Sequence, residues 1–196
     1  MKKVFLVFSH SGTILSKVIK LYTREKYSHI SISLDEDLKK MYSFGRLRPY
    51  NPFLGGFVHE EIHNGTYKRF NKTRSEIYSL DVTDKQYDRI SKIIDDFYKN
   101  KDRHKFNVRG LMALVFHIKY KHKNNFYCAE FVKHILKTAG VSEVNELPKI
   151  IRPENFKELK GLRLEYEGLL RKYKKKKYLS LGNVHNLIKQ KNIGFV

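Results

Sequence analysis

Cys128 is the one cysteine among 196 residues, so the chain forms no internal disulfide and no multi-cysteine metal site. Its thiol is therefore either core packing or chemistry. Asn124-Asn125 breaks the chain just ahead of it, and Cys128, Phe131, Val132, Ile135 and Ala139 follow at helical spacing until Gly140 closes the segment. This pattern predicts a helix over 128–139 with the thiol in its first turn, facing the core side. A thiol at a helix start meets the positive end of the macrodipole and unpaired amide donors, which favour thiolate and can hold an oxyanion as an acyl carbon is attacked. Glu130, two positions on, is expected to point away from the thiol toward solvent.

Such a nucleophile needs a base, and His29 is the candidate. Ser28-His29-Ile30-Ser31-Ile32-Ser33-Leu34 alternates strictly, so Ile30, Ile32 and Leu34 share one face of a strand while His29, Ser31 and Ser33 share the other. The small serines would let a helix approach closely. If the Cys128 helix packs on them, the imidazole can take the thiol proton and return it to a leaving group. A rival motif lies in His59-Glu60-Glu61-Ile62-His63, which matches the zinc-hydrolase pattern H-E-x-x-H. That chemistry needs both histidines one helical turn apart. The window between Gly55-Gly56 and Asn64-Gly65 is under two turns and carries hairpin punctuation, so a strand is expected and no metal or cofactor is assigned.

The elements that must position these residues can be read along the chain. Residues 3 to 8 form a first strand, and Ile14, Leu15, Val18, Ile19 and Tyr22 recur at helical spacing. Lys40 to Gly45 returns from the His29 strand as a hairpin, and Arg46 to Gly56, with two prolines and a Gly-Gly pair, reads as a loop. Phe57 to Ile62 and Thr66 to Phe70 flank Asn64-Gly65 as a second hairpin, and Glu76 to Val82 is a further strand. Thr83 caps a helix whose apolar stripe is Tyr87, Ile90, Ile93, Ile94 and Phe97, and Leu111 to Ile118 reads as another helix. The expected fold class is α+β: an antiparallel sheet packed against helices, part of it closing toward a barrel.

Three segments taken in this order resemble a known family. Tyr27-Ser28-His29-Ile30-Ser31-Ile32, Met41-Tyr42-Ser43-Phe44-Gly45-Arg46 and Asn125-Phe126-Tyr127-Cys128-Ala129-Glu130-Phe131-Val132 look like permuted NlpC-type, YiiX-like papain-fold proteins, relatives of lecithin:retinol acyltransferase. In that branch the histidine precedes the cysteine, as here. The resemblance spans roughly residues 3 to 140, and Tyr166-Glu167-Gly168 looks like the end of bacterial members. It implies a circularly permuted papain-like fold and a thiol-dependent amidase, peptidase or acyltransferase with Cys128 and His29 as its centre. The family usually orients the imidazole with a third polar residue on the strand after the histidine, a place that Ser43 occupies here. A serine accepts a hydrogen bond from the ring but does not stabilise imidazolium as a carboxylate does.

Composition bounds the rest. Hydrophobic residues make up 41% of the chain, with 13 Tyr and 13 Phe, which suits a folded domain rather than a disordered tail. A catalytic domain over 1–165 and a basic extension over 166–196 are expected. The start imitates a secretory signal but stops at Ser9-His10, and no run approaches the length of a membrane span, so a cytoplasmic protein is expected. Net charge is +20, from 40 Lys and Arg against 20 Asp and Glu. Lys172, Lys174, Lys175, Lys176 and Lys177 are candidates for contact with an anionic polymer or membrane surface, while no specific nucleic-acid role is expected. A catalytically silent papain-like module that binds such a surface is the alternative to an enzyme acting on a small-molecule, peptide or lipid acyl substrate.

Overall fold

The computed structural model describes residues 1–12, 24–101, 105–106 and 125–175. The expected helices around 14–22 and 111–118 lie outside them. Eight strands form one sheet: β1 (Lys2–His10), β2 (His29–Ser33), β3 (Met41–Arg48), β4 (Asn51–Glu60), β5 (Arg74–Val82), β6 (Lys105–Phe106), β7 (Asn125–Phe126) and β8 (Leu162–Leu169). Their order across the sheet is β7-β6-β4-β3-β2-β1-β5-β8. Every pairing is antiparallel except β6 with β7. Among the described residues three α-helices accompany it: α1 (Gly65–Arg69), α2 (Asp84–Lys99) and α3 (Cys128–Ala139). The fold is mixed α and β, with an antiparallel sheet and helices packed on it. No helix among the described residues is long and apolar enough to cross a membrane.

Both faces of the sheet are covered, which explains why β1 is an apolar run rather than an alternation. Val4, Leu6 and Phe8 join Ile30, Ile32, Phe44 and Phe57 under α2 and α3 in the larger core. Phe5 and Val7 turn the other way and join Met41, Ile62, Tyr67, Ile77 and Leu170 in a smaller one. On α2, Thr83 and Gln86 form the reciprocal cap that the sequence promises, with Thr83 Oγ1 accepting from Gln86 N at 3.1 Å and Gln86 Oε1 accepting from Thr83 N at 2.9 Å. Ile90, Ile94 and Phe97 are its buried stripe. At the far end of α3, Gly140 adopts φ 89° and directs its N–H to the Lys137 carbonyl at 3.0 Å, the left-handed termination that a Cβ would strain.

Two stretches depart from the sequence reading. Residues 46–56, expected as a loop, mostly continue the β3–β4 hairpin, with Gly45 opposite Gly56 and Arg46 opposite Gly55 before a register shift leads to Arg48 opposite Asn51. Ladder bonds belong to the backbone, so a glycine pair that looks like punctuation can lie inside a ladder. Residues 66–70, expected as a strand, form most of α1, and Lys68 N and Phe70 N bond to carbonyls four residues back. The helical turn directs Tyr67 inward, where it is 5% exposed. The expected boundary between 165 and 166 falls inside β8, which pairs with β5 along its length. Beyond it Leu170 is buried, and the Tyr173 hydroxyl donates to the Glu36 carbonyl at 2.9 Å.

Candidate functional site

β2 brings His29 to the end of the sheet where β2 and β3 separate. Their ladder holds only Ile32 opposite Tyr42 and Ser33 opposite Met41, so β2 is unbonded on that side from His29 to Ser31. The imidazole stands in this opening. Its Nε2 is 3.0 Å from Glu60 Oε1, and the Cys128 thiol at the first position of α3 is near enough to act electrostatically on the ring. Sequence reasoning thus places His29 and Cys128 in one site. The route differs from the expected one, because α3 packs on the Ile30 and Ile32 face and not on the serines. The serine face instead carries a polar network.

Glu60 is the centre of that network. Its Oε2 accepts a hydrogen bond from Ser31 Oγ and one of 3.3 Å from the Tyr67 hydroxyl, which is itself 3.2 Å from Ser9 Oγ. Met41 is opposite Glu60 in the β3–β4 ladder, which puts the carboxylate on the same face as Ser31 and Ser43. The Ser43 hydroxyl is fully buried beside the carboxylate but makes no hydrogen bond of regular geometry. The partner of the imidazole is therefore Glu60 and not Ser43, a correction with a physical basis: only the carboxylate reaches the ring and carries a charge to balance it.

The electrostatics follow from burial and pairing. Burial pushes the His29 imidazole down, but the Glu60 charge and the neighbouring thiol outweigh it and raise the group to about 10. Burial pushes the Glu60 carboxyl up, and the His29 charge together with the His29 and Ser31 hydrogen bonds leaves it below the usual carboxylate range. The side chains are 23% and 12% exposed, so solvent screens the pair only weakly. The pairing favours an imidazolium beside a carboxylate.

Gly45 lies against the point where His29 and Glu60 meet. A Cβ there would lie 3.3 Å from Ser43 Oγ, 3.4 Å from Glu60 Oε1 and 3.5 Å from His29 Cε1. Ser43 can rotate away, whereas the Glu60 and His29 atoms are held by each other. Gly45→Ala is expected to leave the fold intact and slow Cys128 alkylation by no more than about threefold, because its Cβ would touch the imidazole and the carboxylate at ordinary van der Waals distance. Alkylation rate and thermal unfolding measured on the same sample separate this from a general loss of stability.

The cysteine end is built by local capping. The Glu130 carboxylate reaches back to accept from Tyr127 N at 3.3 Å, so it closes the first turn of α3 and is not the bare surface residue its spacing suggests. The Tyr127 hydroxyl donates to the Ile151 carbonyl at 2.9 Å, tying the helix start to the C-terminal segment. Cys128 is 6% exposed.

In the H-E-x-x-H segment, His59 and Glu60 end β4 on opposite faces. His59 lies 5.1 Å from the Tyr42 ring on the helix side, with its Nε2 bonded to the Lys39 carbonyl, while Glu60 turns to His29. Glu61, Ile62 and His63 are outside any helix, so the one-turn spacing that a zinc pair needs is missing. Among the described residues no group of three or more His, Cys, Asp or Glu is arranged to hold a metal ion. Of the basic extension, Lys172 and Lys174 are exposed and Lys175 Nζ is 3.5 Å from Glu36 Oε2; Lys176 and Lys177 lie outside the described residues.

A second polar cluster, not foreseen from the sequence, clamps the chain just before His29. Buried Glu76 accepts from Lys26 Nζ at 2.6 Å, Lys157 Nζ at 2.7 Å and the Tyr78 hydroxyl at 2.9 Å. Glu154 bonds both Lys157 at 2.7 Å and the Tyr27 amide at 3.0 Å. Lys157 also lies over the rings of Tyr27 and Phe8. The cluster joins three stretches, 26–27, 76–78 and 154–157, which lie too far apart in the chain for a spacing rule to connect them. Compared with known protein families and with characterised proteins, the sequence matches none.

Proposed function

We propose that the protein is a thiol-dependent acyl-transfer enzyme, a hydrolase of amides or esters or an acyltransferase, in the manner of permuted papain-like proteins. Cys128 is its nucleophile, His29 its proton carrier and Glu60 its positioning residue. The observation that carries this reading is the His29 imidazole bonded to the buried Glu60 carboxylate with the Cys128 thiol nearby at the start of a helix.

With Nε2 engaged by Glu60, the other ring nitrogen is left to exchange a proton with sulfur and substrate. A cation beside the sulfur stabilises thiolate. The sulfur attacks the acyl carbonyl carbon, a C–S bond forms, and the carbonyl π pair moves to oxygen, where backbone N–H groups at the start of α3 can receive it. His29 gives its proton to the leaving amine or alkoxide as the C–N or C–O bond breaks. In the second half the neutral imidazole takes a proton from water or an acceptor that attacks the thioester, the C–S bond breaks, and thiolate and imidazolium are restored. The raised imidazole value makes acid transfer to the leaving group the first task of His29, ahead of its work as a base.

The test is the rate of Cys128 alkylation by iodoacetamide at neutral pH, with mass-spectrometric trapping of an acyl-enzyme from activated esters and thioesters. His29→Ala is expected to slow alkylation by about 10²-fold and to prevent turnover, and Cys128→Ala to abolish trapping. Equal alkylation in wild type and His29→Ala would sink the reading and favour the silent binding module.

A further inference from the structure

The end of the sheet that carries His29 also carries an open cleft of about 470 Å³, lined by His10, Ser11, Gly12, Arg69, Lys72 and Arg74 among others. His10 and Arg74 are register partners across β1 and β5, Arg69 ends α1, and Lys72 lies in the turn that leads from α1 to β5. Among the described residues no carboxylate lines the cleft. Some cations elsewhere on the molecule pair with carboxylates: Lys2 bonds Asp88, Lys26 and Lys157 bond Glu76, and Arg163 bonds Asp81. Among the described residues, no carboxylate forms an ion pair with Arg69, Lys72 or Arg74. Three positive side chains converging without a counter-charge repel one another, a cost that a bound polyanion removes.

The cleft is also held in shape. The Arg69 guanidinium stacks 4.1 Å from the Tyr50 ring centroid and 5.5 Å from that of Phe70. The Phe70–Thr73 turn is fixed by Thr73 N and Oγ1 to the Phe70 carbonyl at 3.0 and 2.6 Å, and Leu170 N anchors the Thr73 carbonyl at 2.9 Å. Two guanidinium forks and an ammonium on such a frame suit the several oxygens of a phosphate. The cleft is next to the thiol site: Ser9 pairs with His29 across β1 and β2, and Ser28 Oγ is 3.4 Å from His10 Nδ1. From the His10 backbone to that of His29 is one residue and one strand spacing, about 7 Å.

We infer that this cleft binds a phosphate group carried by the substrate on which Cys128 and His29 act. The link to substrate rests on the thiol-enzyme reading, while the anion site stands on the cleft itself. Calorimetric titration of the full chain with inorganic phosphate at constant ionic strength tests the site. Saturable binding is expected, equal in wild type and Cys128→Ala, and weakened about tenfold or more in Lys72→Gln/Arg74→Gln. Lys72→Gln alone, in an exposed turn, is expected to weaken it by about threefold and guards against misfolding of the double variant. No saturable binding, or binding unchanged in both variants, overturns the proposal. Phosphate is further expected to slow Cys128 alkylation by the anion iodoacetate more than by neutral iodoacetamide. Intact phosphate binding with no effect on either reagent would overturn the substrate link alone. A thiol indifferent to His29→Ala beside intact phosphate binding would remove the enzyme reading and leave the anion site.

Discussion

Replacing Glu60 with glutamine is expected to slow acyl turnover by about 10²- to 10³-fold without displacing Cys128, because the imidazole loses the charge that keeps it protonated and aimed. Glutamine still accepts one hydrogen bond from Nε2, so the ring stays near its place. The same change should lower unfolding free energy by about 1–3 kcal/mol, the usual range for a weakened buried polar contact.

The two effects have a shared pH signature. The folded His29 value, about 10, is above its unfolded value of 6.5, so this group stabilises the fold fully below 6.5 and the contribution is lost as pH rises toward 10. Glu60 is lowered from 4.5, so its contribution is present above 4.5 and is lost as pH falls through its folded value. The gap in unfolding free energy between wild type and Glu60→Gln should therefore be widest from 4.5 to 6.5 and shrink toward 10. Urea unfolding of both proteins across that range reads the gap directly. A gap that does not move with pH would mean that Glu60 acts through packing and not through its charge.

Glu76→Gln should cost more stability and touch the chemistry less directly. The side chain is 7% exposed, and although burial pushes its carboxyl up, hydrogen bonds from Lys157, Lys26 and Tyr78 bring it down to about 2 from 4.5. A difference of that size corresponds to about 3 kcal/mol, in line with the cost of breaking a buried ion pair from one side. The contribution is present above 4.5 and lost as pH falls toward 2, so wild type and variant should converge in acid. Because Glu76 holds Lys26 and, through Lys157 and Glu154, the Tyr27 amide, the variant should also loosen the chain that leads into His29. Amide exchange at Tyr27 and Ser28 that matches wild type would show that the clamp does not act on the site.

The local elements of this molecule were legible because each is governed by neighbours in sequence. The β2 alternation, the Thr83 cap, the stripe of α2, and α3 running from Cys128 to its Gly140 termination are set by periods of two and 3.6 and by end groups, and all appear at the expected residues. The segment after Asn64-Gly65 was not legible, since a hairpin and a helix share the same glycine start and the burial of Tyr67 decides between them.

The site divides in the same way. Type and position in the chain single out Cys128 and His29: a lone thiol at a helix start and a histidine on the polar face of a strand. Which carboxylate serves the histidine is a matter of register. Glu60 belongs to a strand one place beyond the neighbour of β2, and it meets the ring because β2 and β3 part at His29 and Met41 stands opposite Glu60. Sequence spacing carries no information about pairing across strands, so Ser43 looked as suitable as any residue nearby. The Glu76 clamp and the cationic cleft likewise join residues from distant parts of the chain, and packing alone decides which charges face one another.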